Sequence, residues 1–165
     1  IYEDYINDSQ ITARPGVFRL IEELKKNNIS IALVSSTSEV NLLNLFTKGF
    51  KINPYKTFDL VAHGDCTKLK KPSPEIYEWA FQKLQLPSEA CIAIEDSPRG
   101  LESSNNANVK TIITPSKLTR DENFEKAKLV ISNLGEPDNP FKIISGETYS
   151  HNYVCFELLQ MISKN

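Results

Sequence analysis

From Arg14 onward the apolar positions switch between two spacings, and each switch marks an element. Val17, Leu20, Ile21 and Leu24 recur at helical intervals behind Pro15, a residue that the first helical turn tolerates, so a helix is predicted over about 15–27. Ile29 to Val34 is a continuous run rich in β-branched residues that stops at Ser35-Ser36-Thr37-Ser38. Apolar Val40, Leu42, Leu43 and Phe46 follow, giving strand, polar loop and helix. The unit recurs twice. Phe58 to Ala62 reads as a strand, and Ser73 can cap a helix with Pro74 at its first position and Glu75 in its first turn, running to about Leu84. Cys91 to Ile94 is a strand that ends directly in Glu95-Asp96. A helix over about Gly100 to Ala107 follows, with Asn108 in the left-handed closing position. Lys110–Ile113 and Leu129–Ile131 complete the strands. A tail with Gly135, Pro137 and Pro140 leads to a last helix, about Tyr153 to Ser163, whose apolar residues Phe156, Leu158, Leu159 and Ile162 form either a docking face on the core or a partner interface. Alternation of this kind predicts an α/β fold with a parallel sheet flanked by helices and with its chemistry at the carboxyl ends of the strands.

Composition narrows the functional classes. The chain has 165 residues, 40% of them hydrophobic, which suits one domain with a real core. A formal net charge of −2 leaves no basic excess to attract nucleic acid. Cys66, Cys91 and Cys155 are odd in number and lack C-x-x-C spacing, which argues against a disulfide framework or structural zinc and for a reducing, cytoplasmic setting. No apolar run approaches the ~20 residues of a membrane-spanning helix. A targeting peptide stays open, because residue 1 reads as something other than a natural start.

Three polar clusters fall at strand ends: Ser35-Ser36-Thr37-Ser38, Lys70-Lys71-Pro72 and Glu95-Asp96-Ser97. Singly, each has an ordinary reading as a helix cap, a solvated surface pair or a turn. Together they say more. Two adjacent carboxylates at an abrupt strand end concentrate negative charge that a cation must offset, and oxygen-rich ligation suits Mg²⁺. A lysine and a serine hydroxyl nearby would serve the oxygens of a phosphoryl group. His63 and His151 stand apart and lack the partner that a metal pair requires.

The stretches Ala32-Leu33-Val34-Ser35-Ser36-Thr37, Lys71-Pro72-Ser73-Pro74-Glu75-Ile76-Tyr77 and Ile94-Glu95-Asp96-Ser97-Pro98-Arg99-Gly100 resemble the second, third and fourth motifs of the haloacid dehalogenase superfamily. The likeness is closest to its sugar-phosphate phosphatase and β-phosphoglucomutase-like branch. Arg14-Pro15-Gly16-Val17 resembles the entry to the first core helix, and His63-Gly64-Asp65 the Gly-Asp ahead of the lysine motif. The resemblance implies a three-layer, Rossmann-like parallel sheet, Mg²⁺ as cofactor, and hydrolysis of a small sugar phosphate through an aspartyl-phosphate. It implies that Ser35 and Lys71 are catalytic and, with Ser36, bind the phosphate. Asp96 would ligate Mg²⁺ directly, with Glu95 supporting the metal directly or through water. Ser36 and Thr37 line the phosphate loop in this reading, or cap the next helix; Thr114 and Ser116 approach the site, or are loop polarity. The stretch from Thr119 to Phe124, followed by Leu129-Val130-Ile131, is similar to the CbbY-like subgroup, some of whose members dephosphorylate xylulose 1,5-bisphosphate.

The family's first motif, an apolar strand ending in Asp-x-Asp that supplies nucleophile and acid/base, has no match. Asp4 and Asp8 lack the strand and the spacing, Asp59 has Val61 where the second aspartate should stand, and Asp65 opens the lysine motif. Ile1, Tyr2, Tyr5 and Ile6 resemble the end of a helical cap, so residues 1–12 read as a cap remnant and 13–165 as the core. The nucleophile strand is then expected upstream. It is central in the family's order, 5-4-1-2-3, so without it two half-sheets with open edges should remain, and this chain alone should be inactive. The chain is either part of a longer protein or a partner for a separate segment or second copy. A sugar-phosphate mutase and a non-catalytic binding protein of the same fold are the alternatives to a phosphatase.

Overall fold

The structure is a computed structural model, and it describes residues 11–165; the reading of residues 1–12 as a cap remnant falls almost wholly outside them. Helix α1 (Val17–Lys26) starts at Gly16, which sits at φ 87° with Leu134 and Gly135 so close that a Cβ would lie 2.5 Å from the Gly135 carbonyl oxygen. Strand β1 (Ala32–Val34) leads to α2 (Glu39–Asn44), whose amino end is capped by Ser38 Oγ accepting from the Asn41 amide, and α2 runs into one π-helical turn, Leu45–Gly49. Asn53 caps the single turn α3 (Pro54–Thr57), and β2 (Leu60–Ala62) follows. Then come α4 (Glu75–Leu84), β3 (Ile92–Glu95), α5 (Pro98–Asn106), β4 (Lys110–Ile113), β5 (Leu129–Ile131), β6 (Ile143–Gly146) and α6 (Phe156–Lys164). Asn108 closes α5 at φ 58°, as the sequence predicts.

Strands β1 and β2 pair in parallel, with Ala32 opposite Leu60 and Val34 opposite Ala62. A second sheet runs β3-β4-β5-β6, parallel except for the last strand. Side-chain alternation puts helices on both of its faces. Ile112, Leu129 and Ile131 pack with Leu20 and Leu24 of α1 and with Leu158 and Ile162 of α6, whereas Ile113 and Val130 pack with Leu101 of α5. The three-layer arrangement expected from the alternating elements is therefore present.

Among the described residues β1 and β3 are each paired on one side only, which matches the expected pair of half-sheets. Helix α4 spans both: Ile76, Tyr77 and Ala80 pack with Ala62 of β2 and with Ala93 of β3, small residues that let the helix approach closely. The open edge leaves its mark on packing, since Ile94 in β3 is 39% exposed and all three residues of β1 are only half-buried. Strand β6 was not legible in the sequence. Its four residues are all exposed, so no alternation betrays it, and it joins the sheet through backbone pairing with β5.

Candidate functional site

Lys71 is the hub of the strand-end loops. Its side chain is about nine-tenths buried, and its ammonium donates to the Val34 carbonyl at 3.2 Å and to Glu95 Oε1. It therefore ties the end of β1 to the end of β3 across the open edges. The lysine loop is held from several directions. Glu75 at the start of α4 accepts from the Lys68 and Leu69 amides, Lys70 donates to the Gly64 carbonyl, and Arg99 donates to the Lys71 carbonyl at 2.7 Å. Lys70 is exposed, as its surface reading expects, and also braces two loops.

The β1 loop carries Ser35 and Ser36. The Ser35 amide donates to the Ala62 carbonyl, and Ser35 Oγ accepts from the Thr37 amide at 3.2 Å, which curls the loop before Ser38 caps α2. Gly64 packs directly on this loop: its amide donates to the Thr37 carbonyl, and a side chain there would run into the Ser36 carbonyl. Ser36 is exposed, and its hydroxyl has no hydrogen-bond partner among the described residues. No side-chain contact joins Ser35, Ser36 or Asp96 to Lys71 among the described residues. Ser35 and Asp96 are instead the residues next to its two partners, Val34 and Glu95.

At the end of β3, Glu95 and Asp96 face different surroundings. Glu95 is about nine-tenths buried, and its Oε1 accepts from both Lys71 and the Tyr77 hydroxyl, while Oε2 rests against Gly100 in the first turn of α5. Burial first, and the Glu95 charge next, push the Tyr77 phenol well above its ordinary value, so it remains a neutral donor. The Asp96 carboxylate is exposed and has no partner among the described residues. Its carbonyl is fixed by Thr119 Oγ1 at 2.6 Å, and Thr119 in turn accepts from the Ser116 amide. Thr114 and Ser116 brace this loop: Thr114 accepts from Arg14, which also donates to the carbonyls of Pro115 and Ser132. For Mg²⁺, which takes one or two carboxylates and keeps several waters, free and solvated Asp96 is a suitable donor; Glu95 is already committed.

Tyr77, Arg99, Gly100, Thr119 and Arg14 were not singled out as site residues by the sequence. All five lie in stretches that carry the family resemblance, and Tyr77 has a signal of its own besides, because a tyrosine on the buried face of a helix has a hydroxyl that needs a partner. Gly100→Ala gives a sharp test of the local packing. Helix propensity alone favours alanine by about 1 kcal/mol. Here the new methyl would overlap the Glu95 carboxylate and prise apart a buried ion pair, a larger penalty. Thermal unfolding is expected to show a lower Tm for the variant; a raised Tm would mean that Glu95 is not packed on Gly100.

Comparison with known proteins identifies the family. The family model for haloacid dehalogenase-like hydrolases matches residues 1–114. Protein CbbY of Rhodobacter capsulatus is 35% identical over 133 residues, covering 81% of this chain and 59% of that protein. Crystal structures of CbbY from Rhodobacter sphaeroides, one in complex with phosphate and one, of a mutant, in complex with xylulose-(1,5)bisphosphate, superpose with a TM-score of 0.76 at 34% identity over 79% of this chain and 58% of theirs. β-Phosphoglucomutase from Clostridium difficile gives a TM-score of 0.70 at 28% identity, covering 99% of this chain and 62% of that one. The chain belongs to the haloacid dehalogenase-like hydrolase family, and its likeness is to the CbbY-like branch. It spans less than two thirds of the length of these relatives.

Proposed function

We propose that this chain forms the phosphate- and metal-binding part of a Mg²⁺-dependent phosphatase that hydrolyses a small sugar phosphate through an aspartyl-phosphate. The observation that carries the reading is the placement of Lys71, which joins the β1 loop bearing Ser35 to the β3 end bearing Asp96. In this reading Lys71 neutralises charge on the phosphoryl oxygens, and Ser35 and Ser36 donate hydrogen bonds to them. Asp96 would hold Mg²⁺, with Glu95, already held by Lys71 and Tyr77, in support only through water, and the ion when bound would offset the negative charge of phosphate and carboxylates. An extended segment bearing Asp-x-Asp would lie between β1 and β3, parallel to both, supplied by upstream residues of a longer chain or by a separate segment. Its first aspartate would attack phosphorus as the P–O bond to the sugar breaks, and its second would protonate the leaving oxygen. Water would then attack phosphorus and give its proton to that second carboxylate as the P–O bond to the first aspartate breaks, releasing phosphate and restoring the first carboxylate.

Residues 13–165 are assigned to the core and residues 1–12, nearly all outside the described residues, to a remnant of a cap; substrate choice would belong to the rest of such a cap. The three free thiols support a cytoplasmic setting. Among the described residues no helix is long and apolar enough to cross a membrane. The test is product analysis of the full-length chain with sugar mono- and bisphosphates. Free phosphate with dephosphorylated sugar is expected. A sugar phosphate isomer in place of free phosphate would make the protein a mutase, and phosphate binding without turnover would make it a binding protein.

A further inference from the structure

Tyr77 meets the Lys71–Glu95 pair through two different parts of its side chain. Its hydroxyl donates to Glu95 Oε1, the same oxygen that accepts from Lys71. Its ring lies under the Lys71 ammonium, which is 5.1 Å from the ring centroid, within cation–π range. The residue is 5% exposed and belongs to the α4 cluster that spans β2 and β3, so the ring is fixed by Ile76, Ala80, Ala62 and Ala93. Phenylalanine would serve that packing equally well. The hydroxyl is the excess, and it is spent on one carboxylate oxygen.

We infer that Tyr77 is a positioning residue that holds Glu95 on Lys71, so that the lysine presents its charge at the phosphoryl position while Asp96 stays free for the metal. Without the hydroxyl, Glu95 keeps Lys71 as its one partner on Oε1 among the described residues, and the pair can swing together against the Gly100 contact. Lys71 then loses its fixed direction, although its charge and the ring beneath it remain. This inference rests on the phosphatase reading for the role of Lys71, but not for the contact itself.

The test uses the full-length chain, Tyr77→Phe, Glu95→Gln and the double variant. Two quantities are read: kcat and KM for a sugar phosphate, and the Kd of inorganic phosphate with Mg²⁺ by titration calorimetry. Changing an outer partner of this kind costs about 10–100-fold. Tyr77→Phe is expected to lower kcat by about 10-fold or more and to weaken phosphate binding by about 10-fold, with the circular dichroism spectrum unchanged. Because the hydroxyl acts through Glu95, its loss should add little once Glu95 is glutamine, whereas independent sites would add. Phosphate affinity within twofold of the parent in Tyr77→Phe, or additive effects in the double variant, would overturn the proposal. A parent that binds phosphate but releases none from any ester would overturn the phosphatase reading alone, since the phosphate Kd still decides Tyr77. A parent that binds no phosphate would overturn both.

Discussion

Lys71→Ala is expected to remove both activity and a large part of the stability of the full-length protein. Lys71 and Glu95 are each about nine-tenths buried and face one another, so deleting the ammonium leaves a carboxylate inside the protein whose one remaining hydrogen-bond partner among the described residues is the Tyr77 hydroxyl. Breaking a buried pair in this way costs about 3–5 kcal/mol, against about 0–1 for a surface pair. Urea unfolding should show the loss as a lower midpoint with an unchanged slope. The catalytic loss has a separate origin in the proposed function, the missing positive charge at the phosphoryl oxygens, and it should reach about 10³-fold or more, about 4 kcal/mol of transition-state stabilisation. A second variant separates the two effects. Lys71→Met combined with Glu95→Leu and Tyr77→Phe removes both charges and the buried hydroxyl that Glu95 would leave unpaired, and should recover most of the stability with none of the turnover. Recovery of turnover in that protein would show that Lys71 is structural.

Asp96→Asn should behave in the opposite way. Its carboxylate is exposed and without a partner among the described residues, so no buried group is orphaned and stability should stay within about 0.5 kcal/mol of the parent. Activity should fall by about 10³-fold, about 4 kcal/mol, because in the proposed function Asp96 is the metal's charged ligand. Mg²⁺ binding measured by calorimetry should weaken in parallel. If Asp96→Asn kept full Mg²⁺ affinity while Glu95→Gln lost it, the metal assignment would pass to Glu95.

Strands β4 and β5 could be read from the sequence residue for residue. Ile112, Ile113 and all of Leu129–Ile131 are buried against helices on both faces, and such strands are continuous apolar runs with sharp ends. The run from Ile29 to Val34 was read too long. Only Ala32–Val34 pairs with β2, and the Ile31 amide is taken by the Asp59 side chain instead. Helix α5 starts at Pro98 behind a Ser97 cap, two residues before the reading from Gly100; Ser97-Pro98 is the same Ser-Pro signal that was used at Ser73-Pro74. There the first helical residue is Glu75, with Pro74 just outside it.

Ser35, Glu95 and Asp96 stand out in the sequence as candidates because they end apolar runs, and Lys71 because it opens the Lys-Pro-Ser-Pro stretch that carries the resemblance. What they touch does not show there. Tyr77 occupies a position that fits the apolar face of α4, so spacing alone classes it as packing. Arg14 and Arg99 reach carbonyl groups far away in the chain, at Thr114 and Lys71, and nothing local marks those partners. The division of labour between Glu95 and Asp96 is likewise tertiary. It depends on Gly100, Tyr77 and Lys71 closing around one carboxylate and leaving the next in water.

The most direct measurement of the central claim is phosphate release by the full-length chain from a panel of sugar phosphates that includes xylulose 1,5-bisphosphate, with Mg²⁺ and again with a chelator in excess. Release that requires Mg²⁺, and that Lys71→Ala and Asp96→Asn both abolish, is the result this account predicts. Release that continues undiminished in the chelator, or in either variant, would contradict it.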